Sequence, residues 1–128
     1  MIGIRKNSKK QRRRQMAVKV REVNIEKGHP PVDEAMRRMV NGLTTAKREG
    51  IKSVVLIHGY GSSGEGGAIK AAVRRKLRNP VLRGTVRDYA AGEDWMNKKK
   101  DFLNMCPDLK EWKRYVDGNK GLTIVMLK

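Results

Sequence analysis

At 128 residues the chain has room for one hydrophobic core and little for a second. Its 30 Lys and Arg against 13 Asp and Glu leave a net charge of +17, which repels itself in the compact state and attracts dense polyanions, nucleic acid first among them. A single cysteine, Cys106, and two histidines rule out an internal disulfide and give too few soft ligands for a structural zinc cage, while the lack of a secretory leader or an 18-residue apolar run argues for a soluble cytoplasmic protein with no membrane partner.

The first element is an arm. Arg5, Lys6, Lys9, Lys10, Arg12, Arg13, Arg14 and Lys19 occur with no acid among them, so residues 1–19 form a basic, disordered tail that the domain at 20–128 follows. Two roles fit it: a tether onto phosphates or ribosomal RNA through residues such as Arg12, Arg13 and Arg14, or a solubilising tail. Transit-peptide character is weak, with one Ser and little amphipathic pattern.

Val18, Val20, Val23 and Ile25 then predict a strand with an irregular step between Arg21 and Val23. Gly28, His29, Pro30 and Pro31 break it, and Asp33 and Glu34 place acids in the opening turn of a helix, where the dipole favours them. Val32, Met36, Met39, Val40 and Leu43 recur at helical spacing up to a stop at Gly50. Val54 to Ile57 is short, branched and continuously apolar, the pattern of a strand buried on both faces. A second helix carries Ile69, Ala72, Val73 and Leu77 on one stripe and Lys70, Arg74, Arg75 and Arg78 opposite, and stops at Asn79 and Pro80. Gly84 to Tyr89 and Gly121 to Leu127 complete the strands, with residues 92–116 between them as a helical insert. The fold class is therefore α/β: a two-layer sandwich in βαβαββ order, with a mixed four-stranded sheet and an insert before the last strand.

The sharpest signal is the run from His58 to Gly67. Glycines between a buried strand and a helix free backbone N–H groups to approach an anion at the helix N-terminus, so His58, Gly59, Gly61, Ser62, Ser63, Gly64, Gly66 and Gly67 are candidate phosphate contacts. Lys70, Arg74, Arg75 and Arg78 extend that surface along a nucleic-acid backbone. Gly59, Gly61 and Gly64 satisfy the dinucleotide fingerprint, but too few residues follow for that fold. A hydrolase elbow fails because Glu65 stands where its second glycine belongs, and a nucleotide-triphosphatase loop fails because Gly67 replaces its lysine.

Ile57-His58-Gly59-x-Gly61, followed by more glycine and the basic stretch Ala68 to Leu77, resembles the second signature of the small MutS-related (Smr) domain family. Gly118-x-x-Gly121-x-Thr123-Ile124-Val125-x-Leu127 is similar to that family's closing strand, and the resemblance covers about residues 25–128. The family's first signature, Leu-Asp-x-His-Gly, falls on Ile25-Glu26-Lys27-Gly28-His29, where Glu26 keeps the acid while the histidine is displaced by one place. The insert is a second departure. The resemblance implies binding of structured DNA or RNA and, in several members, endonuclease cleavage, including cleavage of messenger RNA on ribosomes.

Cleavage of a phosphodiester needs a group to activate water and positive charge for the transition state. Glu26 as base or metal ligand and His58 as acid or phosphate contact are the candidate catalytic pair, with Mg²⁺ as the ion a nuclease would use and no other cofactor implied. Each has a simpler reading: Glu26 as a surface acid, His58 as a hydrogen-bonding brace for the loop. Trp95, Phe102, Trp112 and Tyr115, set among lysines, either stack on bases or pack on the sheet, and helical spacing favours packing. A ribosome-docking factor anchored by the arm is a further reading.

Overall fold

The computed structural model describes residues 19–59 and 65–128. The arm, with Arg12, Arg13 and Arg14, and the loop positions Gly61, Ser62, Ser63 and Gly64 lie outside the described residues. Four strands, β1 (Val20–Asn24), β2 (Ser53–Ile57), β3 (Val86–Ala91) and β4 (Leu122–Leu127), form a mixed sheet in the order β1-β2-β4-β3. β1 pairs parallel with β2, and β4 runs antiparallel to both β2 and β3. β1, β2 and β3 therefore point the same way and end at one rim of the sheet.

Two helices cover one face: α1 (Val32–Arg48) and α2 (Glu65–Leu77). Met39 and Leu43 of α1 and Ile69, Val73 and Leu77 of α2 pack with Val54, Leu56 and Val125 of the sheet. Each such side chain contributes roughly 1.5–3 kcal/mol by leaving water. Asp33 and Glu34 stand in the first turn of α1 and Lys47 and Arg48 in its last, both matched to the helix dipole.

The insert covers the opposite face. It comprises α3 (Trp95–Met105), a 3₁₀ stretch at Pro107–Trp112 and the single turn α4 (Lys113–Val116). Trp95, Phe102, Leu109 and Val116 pack on Val55, Ile124 and Met126, adding a third layer to the two that the sequence predicts. Every residue of β4 is consequently buried, with alternate side chains entering the two cores. The ends of the insert close on each other: the Gly118 amide donates to the Gly92 carbonyl at 3.0 Å. A Cβ at Gly92 would collide with the Asn119 carbonyl, so the excursion returns to its starting point only over a glycine.

This third layer also explains the predicted irregular step in β1. The register from Val20↔Ser53 to Asn24↔Ile57 is unbroken. Val20 enters the core beneath the insert while Val23 and Ile25 face α1, so apolar residues on both faces read as a slip. The irregularity in the sheet lies instead in β3, between Val86 and Asp88. β3 also starts later than Gly84, because Leu82 to Thr85 form a hydrogen-bonded turn.

Candidate nucleic-acid interface

The common rim of β1, β2 and β3 is where open α/β sheets present ligand-binding groups. Beyond β1, the Asn24 carboxamide oxygen accepts from the Glu26 and Lys27 amides at 3.0 Å each and turns the chain off the sheet. Gly28 and His29 continue the turn at positive φ, 82° and 52°, and Arg38 of α1 clamps it by donating to the Lys27 carbonyl at 2.7 Å. Because β1 and β2 are parallel neighbours, Glu26 arrives beside the end of β2. Its carboxylate lies against Gly59, which has φ 73° and where a Cβ would collide with the Glu26 carboxylate. The structure thus brings Glu26 and the His58-Gly59 turn together.

His58 itself faces inward. Its ring is fully buried. Nδ1 donates to the Gly59 carbonyl at 2.7 Å, a contact that fixes the tautomer, and Nε2 accepts from the Thr123 hydroxyl at 2.9 Å. Burial is the main reason its pKa falls below 6.5; the Gly59 carbonyl opposes the shift, and the charges of Lys70 and Arg74 add to it against the opposing charge of Glu93. The neutral imidazole braces the turn: the His58 and Gly59 amides both donate to the Gly121 carbonyl, at 3.0 and 2.9 Å.

Gly66 and Gly67 fall in the opening turn of α2, whose first amides have no intrahelical acceptor. Farther along, Arg74 and Arg75 of α2 and Arg78 just past its end are exposed. Lys70 is not: its side chain is 16% exposed and reaches both oxygens of Glu93, at 2.9 and 3.0 Å. Arg74 shares the same carboxylate at 3.7 Å. Partial burial alone would raise the Glu93 pKa; the hydrogen bond from Lys70 and the charges of Lys70 and Arg74 outweigh it and hold the group below its ordinary value. Glu93 has little signature in sequence, an acid in the short turn after β3. Its position is set by β3 reaching the same rim as β2.

The insert contributes at the other end of this rim. Tyr115 is exposed, and partial burial followed by the negative charges of Glu22 and Glu26 raises its phenol pKa. Trp95 and Phe102 are buried against each other in an edge-to-face pair with centroids 6.1 Å apart, so they serve the core. Among the described residues no group of three or more His, Cys, Asp or Glu side chains converges in a way that could hold a metal. No described helix is long and apolar enough to cross a membrane.

Residues 28–128 match the family model described as Smr domain. The chain belongs to the Smr domain family. The matched span begins after Glu26, so the altered first signature lies at and just before its edge, while the glycine turn, α2 and the closing strand fall within it. The Smr domain described here is similar to the crystal structure of the Smr domain of Thermus thermophilus MutS2, with 24% identity, a TM-score of 0.52, and coverage of 87% of this chain and 99% of that one. That likeness is one of fold. No curated protein gives a match.

Proposed function

We propose that this Smr domain binds nucleic acid by its sugar-phosphate backbone, along a surface running from the glycine turn across the outer face of α2. The observation that carries this reading is the outward row Arg74, Arg75 and Arg78, at the C-terminal end of the helix that follows the glycine run. Among the described residues only Arg74 of the three has an ion-pair partner, and that partner is shared with Lys70. Guanidinium groups held on a rigid helix suit phosphates, which accept in a bidentate manner. The charge of +17, 8 of it in the basic arm, supplies long-range attraction. Lys70, committed to Glu93, acts chiefly by fixing α2 to the end of β3.

Titration with labelled structured DNA and RNA over a range of salt tests this. Affinity falls steeply with salt, and Arg75→Gln with Arg78→Gln lowers the log–log slope by about 2, roughly one unit per lost phosphate contact. Binding that ignores salt, or a slope that the double variant leaves unchanged, would sink the reading.

The position of Glu26 favours a second reading, cleavage on the same surface. Its carboxylate lies against Gly59, and in this reading it activates a water near a bound phosphate. A resident metal does not fit the described residues, since no three His, Cys, Asp or Glu side chains among them converge at Glu26 or elsewhere. His58, buried with both ring nitrogens engaged, serves here as a positioning residue for the turn. Glu26→Gln distinguishes the readings: a nuclease loses cutting and keeps binding, with and without added Mg²⁺.

A further inference from the structure

Backbone binding leaves unused a cleft of about 420 Å³ at the side of the sheet. It opens where edge strand β3 lies between α2 on one face and α3 on the other. Half-buried Tyr89 and buried Ala90 contribute to its floor, Arg74 and Arg78 stand on the α2 wall, and Asn97 and Lys98 on the α3 wall. Thr123, whose hydroxyl holds His58, also lines the cleft, so it adjoins the turn through one shared residue.

The two walls differ in charge. Lys98 is paired with Asp88 at 2.9 Å, and Asp94 stands nearby on the same side of the cleft, so the α3 wall carries a net negative charge. On the α2 wall Arg74 keeps 51% of its side chain exposed despite Glu93, and Arg78 has no ion-pair partner among the described residues. Anions are therefore drawn to one wall alone. The opposite wall offers the Asn97 amide, donor and acceptor together, and the Asp94 carboxylate, acceptor only. Between them lie a phenol ring and a small apolar residue.

A flat heterocycle with phosphate on one side and polar edges on the other meets all of these demands. A phosphate alone, or an acidic peptide, leaves Asn97 and the apolar floor unused. A paired base in a duplex stays stacked and cannot enter.

We propose that this cleft receives the base of one unpaired nucleotide, with its phosphates on Arg74 and Arg78 and its polar edge toward Asn97 and Asp94. This deepens the backbone-binding reading and rests on it. The domain then favours strands with accessible bases over strands of equal charge that lack them.

The test uses the full chain and labelled 12-nucleotide single strands: intact DNA, intact RNA, and a strand of tetrahydrofuran abasic residues with the same phosphates. Intact strands bind about tenfold tighter than the abasic strand, the gain of one stacked base. The DNA and RNA arms show which sugar the cleft accepts. Asn97→Trp, which fills the cleft from an exposed helical position, brings intact-strand affinity down to that of the abasic strand, and Asn97→Ala narrows the ratio in part. Equal affinity for intact and abasic strands, or a ratio that survives Asn97→Trp in a folded variant, overturns the cleft while backbone binding stands. Loss of salt-dependent binding to every strand overturns the backbone reading itself.

Discussion

Replacing His58 separates its role as a brace from any role in contact with ligand. The imidazole is buried with hydrogen bonds at 2.7 and 2.9 Å, each worth about 1 kcal/mol net. Its removal also strands the Thr123 hydroxyl, 3% exposed, and opens a cavity under the turn. Together these place His58→Ala at about 3–4 kcal/mol of lost stability, a large share of the roughly 5–15 kcal/mol of an ordinary domain. His58→Asn retains an N–H near the position of Nδ1 and loses mainly the Thr123 contact, so it costs about 1–2 kcal/mol. The pH dependence supplies a second readout. With its folded pKa below 6.5, the histidine binds protons more readily in the unfolded chain, so its contribution is full above 6.5 and declines as pH falls through that value toward the folded one. Urea unfolding at pH 7.5 and 5.5 should show wild type losing more stability on acidification than His58→Asn. A cost below about 0.5 kcal/mol for His58→Ala at pH 7.5, the range of an ordinary surface change, would refute the buried brace. So would parallel pH profiles for wild type and His58→Asn.

Gly59→Ala imposes the positive φ on a residue with a Cβ and displaces the Glu26 carboxylate; the side chain yields easily, so the cost is mainly the backbone's, about 1–2 kcal/mol. For a domain of this size that lowers the thermal midpoint by roughly 4–8 °C by calorimetry, and no shift would contradict the turn geometry. Glu93→Gln releases negative charge from Lys70 and Arg74, so backbone affinity at low salt rises severalfold and the salt slope steepens by up to about one unit, as read by titration. Cys106 is 1% exposed and its thiol is raised by burial, then by Asp108; a thiol reagent should label it at the rate of unfolding in native buffer and promptly in denaturant.

How much of this was legible in sequence depended on whether the signal was local. The helical period of Met36, Met39 and Leu43 and the acids at Asp33 and Glu34 are properties of one segment, and α1 follows them. Val54 to Ile57, apolar without a break, announced a strand covered on both sides, and it is. What covers the second side is the insert, whose Trp95, Phe102 and Leu109 recur every seven residues across the change from α3 to 3₁₀ turns; that spacing marks an apolar stripe and does not say which face of the sheet receives it. At the site, the glycine turn and the cationic stripe of α2 could be read directly. The Lys70–Glu93 pair joins residues 23 apart, and the His58–Thr123 pair joins residues 65 apart. Nothing local in the chain marks such partners; they meet because β3 and β4 reach the rim where β2 ends.

The position of β4 has a consequence for how the molecule comes into being on the ribosome. Among the described residues the last strand in chain order is an interior one, and β3 has no ladder partner besides it. Until residues 122–127 have been translated, β1 and β2 form a lone parallel pair, both helical layers lack the slab they rest on, and the Thr123 hydroxyl is missing from His58. The His58–Gly59 turn therefore takes its final shape only once β4 has been made, and a nascent chain halted before β4 would present arginines on an unbuilt surface.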